Sequence, residues 1–143
     1  MRLTTTRKEI VKAILEGLLH EIRLNSEIYA QAGVDIQLYK AIGGAARSET
    51  WMQIAAAILG RPVAILAISE VPGVGAAAAG ALAAGILANE GELNEFISGC
   101  SEVTRVLEPR EKQTRLYDER FAIYRDLYPA TSDITHRLFA LGE

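Results

Sequence analysis

The sequence is short of the residues that mark several large function classes. Its 143 residues include one cysteine, Cys100, so no disulfide can form within the chain and a reducing compartment is the natural setting. Lys and Arg number 15 against 18 Asp and Glu, a net charge of -3, and they form no basic block, so the electrostatic footprint of a nucleic-acid binder is missing. Residues 1–9 are polar and carry no apolar signal segment, which points to the cytoplasm. There are two histidines, His20 and His136, and neither has a second ligand at metal-binding spacing. Cys100 has no His or basic neighbour in sequence and reads as an inert thiol. No Ser-His-Asp order, Walker-type phosphate loop, internal repeat or low-complexity linker is found.

What is present suits one folded domain. Half of the residues are hydrophobic and 23% are charged, ordinary values for a globular chain with a real core. Residues 71–88 form an uncharged run bracketed by Glu70 and Glu90. The run is mostly Ala and Gly, which gain little from hydrocarbon, and Pro72-Gly73 breaks its start. It predicts a buried helix rather than a membrane span.

The local patterns alternate between helix and strand. Thr6 and Glu9 have capping-box spacing, and a helix should follow to about Ala32, with Gly33 as its stop. Ile10, Ile14, Leu18 and Ile22 recur every four residues, widened by Val11, Leu15 and Leu19, opposite Lys8, Lys12, Glu16 and Arg23. Ile36, Leu38 and Ile42 suggest a short strand ending at Gly43-Gly44. Ser48 is a good N-cap for a helix over 49–59, which Gly60 ends. The apolar run 62–68 suits a strand buried on both faces. A helix over 74–88 and a short one over 92–97 follow, then a connection over 99–109. Tyr117, Phe121, Tyr124 and Tyr128 put four aromatics on one face of a helix over 110–128, a packing stripe. Pro129 should end that helix, and Ser132 should cap a last one. The order predicts an α/β domain, helix-rich, with a small and mostly parallel sheet.

Two glycine turns invite a ligand. Gly43-Gly44-Ala45-Ala46-Arg47-Ser48 runs from strand to helix, where paired glycines leave room for a flat or charged group and the helix start presents free N–H groups. Ligands of open α/β sheets gather at such turns. Gly73-Val74-Gly75-Ala76-Ala77-Ala78 matches a G-x-G-x-x-A fingerprint, with Glu92 at the spacing of a ribose-binding acid. It keeps a dinucleotide-binding domain open as an alternative, although Ser69, Glu70 and Pro72 interrupt its junction with the preceding strand.

Taken in order, several stretches resemble the C-terminal portion of the FGGY carbohydrate kinases. Glu16-Gly17 and Glu21-Ile22-Arg23 look like that family's first helix in this region. Residues 43–48 with Trp51 and Gln53-Ile54 look like its G-G-G-A-R-S-x-x-W-x-Q-I adenosine signature. Gly60-Arg61-Pro62-Val63, then Glu70 and Gly75-Ala76-Ala77, and finally Tyr117, Tyr124, Leu127 and Tyr128 follow in the family's order. Ala45 stands where the family has a third glycine, and Ala57 where it usually has an aspartate.

The resemblance implies an actin-like and hexokinase-like (ribonuclease H-like) ATPase fold, present in part. It implies that residues 1–143 are the nucleotide-side portion of the second kinase domain, with the sugar-binding lobe, phosphate loop and catalytic aspartate absent. The expected function is that of an adenine-nucleotide-side fragment of an ATP-dependent sugar or polyol kinase of xylulose type, inactive alone. ATP or ADP with Mg would serve the complete enzyme. The expected nucleotide-binding residues are Gly43, Gly44, Ala45 and Ser48, with no catalytic residue and no metal ligand in this chain. The partners expected are an adenine nucleotide and either the other lobe or a second copy. A non-catalytic interaction or regulatory module that kept the fold is the alternative.

Overall fold

The computed structural model describes residues 4–67 and 70–141. Ile68 and Ser69, at the end of the apolar run, lie outside the described residues. The element order is α1 (Arg7–Gln31), β1 (Tyr39–Ala41), a 3-10 turn (Gly44–Arg47), α2 (Glu49–Leu59), β2 (Val63–Leu66), α3 (Val71–Ala83), α4 (Glu90–Gly99), β3 (Val103–Leu107) and α5 (Glu111–Ala140). The elements fall into two compact units. One contains α1, the last turn of α2 and α5; the other contains the three strands, the rest of α2, α3 and α4.

In the first unit, α1 opens with the expected capping box. The Thr6 backbone N–H donates to Glu9 Oε2 at 2.7 Å and the Glu9 N–H donates back to Thr6 Oγ1 at 3.3 Å. Gly33 follows the helix with φ +86°, a left-handed position that glycine adopts at little cost.

The face that α1 turns inward differs from the expectation. Ile14, Leu18 and Ile22 are 60%, 54% and 45% exposed, whereas Leu19 and His20 are buried. The packed stripe instead runs Glu16, His20, Arg23 and Glu27; α5 gives partners to Glu16, Arg23 and Glu27, while the buried His20 Nδ1 has no hydrogen-bond partner among the described residues. Tyr117 donates its hydroxyl to Glu16 Oε1 at 2.6 Å, and Arg120 pairs with Glu16 at 3.3 Å. Arg23 pairs with Asp118 at 2.7 Å and donates to the Ile58 carbonyl at 2.9 Å. Arg125 reaches Glu27 at 3.4 Å.

Polar residues can face a partner helix when their hydrogen bonds and charges are met there. Aromatic rings do the rest. His20 stacks on Phe121 and Tyr124 with centroids at 5.8 Å and 5.2 Å, and the Arg23 guanidinium lies 4.3 Å from the Phe121 ring centroid.

Of the aromatic stripe, Tyr117 and Phe121 are buried, while Tyr128 is exposed. Helix α5 does not stop at Pro129 but runs through it, so Ser132 caps nothing and its hydroxyl donates to the Pro129 carbonyl. Proline inside a helix removes one backbone donor. Next to the break, the Thr131 hydroxyl donates to the Leu127 carbonyl at 2.7 Å.

In the second unit the sheet order is β1-β2-β3. Strands β1 and β2 are parallel, Tyr39 opposite Val63 and Ala41 opposite Ile65. Strand β3 is antiparallel to β2, with an irregularity between Ile65 and Leu66. The sheet is therefore mixed rather than mostly parallel. Residues 103–107 were expected to be a connection; they pair because β2 offers a second edge, and Thr104 adds a hydroxyl bond to the Ile65 carbonyl at 3.0 Å. Val63, Ala64 and Leu66 are buried, as the apolar run predicts. Strand β1 takes only the three residues that reach β2, and Leu38 and Ile42 on either side of it are exposed.

Helix α3 begins at Val71, with Pro72 in its first turn, where a missing N–H costs nothing. It ends at Ala83, before Gly85 with φ +71°. Among its residues only Ala78 is buried, so the expected buried helix is largely open. Among the described residues no helix is long and apolar enough to cross a membrane. Asn89 caps α4, its side chain accepting from the Glu92 N–H at 3.1 Å.

His20 gives the first unit an acid-sensitive point. Burial, and then the Arg23 guanidinium, hold its pKa below the ordinary histidine value, against the opposing pull of Glu16. In the unfolded chain the imidazole takes its proton near pH 6.5. As pH falls below that point the unfolded state gains the proton first, so stability present above it is lost as pH falls toward the folded pKa. Thermal midpoints followed by circular dichroism should fall between about pH 7 and pH 5, and His20→Leu should flatten that slope. An unchanged slope in His20→Leu would assign the effect elsewhere.

Candidate functional site

The turn after β1 is built by backbone. Gly43 has φ +74° and ψ -168°, a combination open essentially to glycine alone. The chain then closes a 3-10 turn, with Ala46 N–H donating to the Gly43 carbonyl at 3.2 Å and Ser48 N–H to the Ala45 carbonyl at 3.1 Å. Ser48 starts α2. Its carbonyl accepts from Met52 N–H at 2.9 Å, and its hydroxyl accepts from Trp51 N–H at a long 3.4 Å. Gly43, Gly44, Ala45 and Ser48 are thus brought together on one strand-turn-helix connection at the carboxyl end of a parallel strand. Gly44 and Ser48 are exposed, and Gly43 and Ala45 are half-buried. A methyl group added at Gly43 or Gly44 would meet no atom within 4 Å. The surface over the turn is open, as a flat ligand requires.

Both departures from the family pattern fit this backbone. Among the described residues none but glycine has a positive φ, so Ala45 stands where the chain does not need a third glycine. Ala57 is fully buried, where a lone carboxylate would be costly.

The helix after the turn carries further polar groups. Glu49 pairs with Arg105 of β3 at 2.5 Å, and Gln53 Nε2 donates to the Glu108 carbonyl at 2.9 Å. The Trp51 indole N–H is buried without a hydrogen-bond partner among the described residues. Trp51 and Gln53 stand in the sequence motif, but the pairing of Glu49 with Arg105 carries no local sequence signal, because it depends on β3 being a strand.

The second glycine stretch has another structure. Gly73 and Gly75 lie inside α3, with no positive φ. A dinucleotide fingerprint needs its glycines in the turn between strand and helix. Here the glycines are helical instead, which removes the support for a dinucleotide site. Among the described residues no cluster of His, Cys, Asp or Glu could hold a metal.

The family model for the "FGGY family of carbohydrate kinases, C-terminal domain" matches residues 1–84, more than half of the chain. The chain belongs to this family. A ribulokinase of Bacillus licheniformis is 31% identical over 132 residues, which cover 90% of this chain and 24% of that protein. The crystal structure of a xylulose kinase from Rhodospirillum rubrum superposes with a TM-score of 0.72 at 21% identity, covering 95% of this chain and 27% of that one. The crystal structure of Plasmodium falciparum glycerol kinase with ADP gives a TM-score of 0.63 at 22% identity, with coverage of 87% and 25%. The FGGY chain described here thus spans about a quarter of the length of the curated relatives it matches. Its fold is that part of the actin-like kinase fold.

The two glycines of the turn should separate on substitution. Gly43→Ala forces alanine into a glycine-only conformation and should cost about 1–3 kcal/mol in urea denaturation. Gly44→Ala meets open space without a positive φ and should stay within about 0.5 kcal/mol of the parent. Equal costs would contradict the turn geometry.

Proposed function

We propose that this chain is the adenine-nucleotide side of an ATP-dependent carbohydrate kinase of the xylulose or ribulose type. Gly43, Gly44, Ala45 and Ser48 flank the adenine and ribose, with the open glycine backbone against the flat base and the α2 N-terminus toward the anionic end. The observation that carries this reading is the glycine turn itself, set between a parallel strand and a serine-capped helix in an FGGY chain. Such connections at the carboxyl ends of strands are where open α/β sheets receive ligands. Mg would accompany the nucleotide in the complete enzyme and neutralise phosphate charge. The expected compartment is the cytoplasm, where ATP and the sugar meet.

Transfer to a sugar hydroxyl requires a base and an aligned phosphate. General base catalysis contributes roughly 10²–10⁴-fold, and alignment adds to it. Neither group is among the motifs recognised in this chain, so the reading assigns both to a complementary sugar-binding lobe. The apolar residues Ile14, Leu18 and Ile22, exposed on α1, are of the kind that such a lobe would cover. The same exposed stripe supports a second reading, a non-catalytic interaction module that docks through α1.

Calorimetry and an ATP-consumption assay over pentoses, ketoses and polyols test the two readings. The 143-residue chain should bind ADP weakly and NAD no better, and it should show no sugar-dependent turnover above a Gly44→Trp control. Turnover should appear when the sugar-binding lobe of a relative is added. A folded chain that ignores ADP would favour the interaction module. Tighter binding of NAD than ADP would overturn the kinase reading, and turnover by the chain alone would overturn the need for a second lobe.

A further inference from the structure

Strand β3 lies beyond residue 84, where the family match ends, yet it touches the helix that leaves the glycine turn. Two side-chain bonds make the connection. Arg105 Nη1 lies 2.5 Å from Glu49 Oε2, and Gln53 Nε2 donates to the Glu108 carbonyl at 2.9 Å. Glu49 directly follows Ser48 and is in the first turn of α2. A carboxylate in that turn suits the helix dipole, but it opposes any anion brought to the same helix end.

We propose that Arg105 is a positioning residue for the nucleotide turn that acts by neutralising Glu49, so that the turn accepts an anionic nucleotide. The inference rests on the nucleotide reading of residues 43–48 and adds a charge requirement to it. Strand β1 leads into the turn, β2 joins β1 to β3, and Arg105 joins β3 back to the helix leaving the turn. The turn thus closes a ring of backbone and side-chain bonds. Both partners of the ion pair are more than half exposed, so the pair contributes little to folding. Its effect belongs in the charge preference of the site: a nucleoside diphosphate should depend on it and an uncharged nucleoside should not.

The test compares ADP and adenosine binding to the 143-residue chain and to Arg105→Gln, Glu49→Gln and the double variant. Trp51 is the single tryptophan and gives a local emission signal beside calorimetry. At low ionic strength Arg105→Gln should weaken ADP about threefold, with the loss shrinking at high salt. Adenosine should be unchanged, and adding Glu49→Gln should restore ADP binding. Arg105→Lys, which keeps the charge, should bind ADP like the parent and serves if Arg105→Gln does not fold. Equal weakening of ADP and adenosine, no weakening of ADP, or no rescue by Glu49→Gln would overturn the proposal while leaving the nucleotide reading intact. A parent chain that binds neither ligand would overturn both.

Discussion

The central strand Val63–Leu66 has hydrogen-bonded neighbours on both edges, and the candidate site depends on that pairing. Strand β1 is only three residues long, too short to hold a direction by itself. Its parallel register with β2 fixes where the chain enters Gly43. On its other edge β2 holds β3, which carries Arg105 to Glu49 at the start of α2. Both limbs of the glycine turn are therefore tied to the same strand. Val63 and Ala64 are almost wholly buried, so a polar or bulky residue there would disturb the frame as well as the core.

The other unit is held by a different kind of contact. Helices α1 and α5 meet through rings, guanidinium groups and carboxylates. Tyr117 is pushed up to about 12, first by burial and then by its hydrogen bond to Glu16. It stays protonated and a donor at any physiological pH. Burial and the Glu21 bond likewise raise Tyr124. Arg23 serves two partners and a ring at once, so its loss would leave the Ile58 carbonyl without that donor and hand the half-exposed Asp118 to solvent.

The features that local chemistry decides were legible in the sequence. The Thr6–Glu9 capping box, the Gly33 stop, the Ser48 start and the buried strand after Pro62 all depend on neighbours a few residues away. The glycine turn was legible for the same reason, and it lies at the end of a parallel strand as expected. What depends on distant partners was not legible. The apolar stripe of α1 reads as its packed face, yet Tyr117, Arg120 and Asp118 make the polar side the better partner for α5. Residues 103–107 carry no strong strand pattern and become a strand because β2 has an edge to fill. Pro129 reads as a helix end, but one missing donor does not outweigh the turns on either side. In the site, Glu49 and Arg105 lie 56 positions apart and are joined only by the fold.

The central claim is that an adenine nucleotide lies on the turn that β2 holds in place. Backbone amide hydrogen exchange of the 143-residue chain, with and without saturating ADP, tests it most directly. The account predicts slowed exchange confined to residues 43–53, with the amides of 73–78 in α3 unchanged. Slowing at 73–78 instead, or no change at 43–53 while ADP is bound, would contradict it.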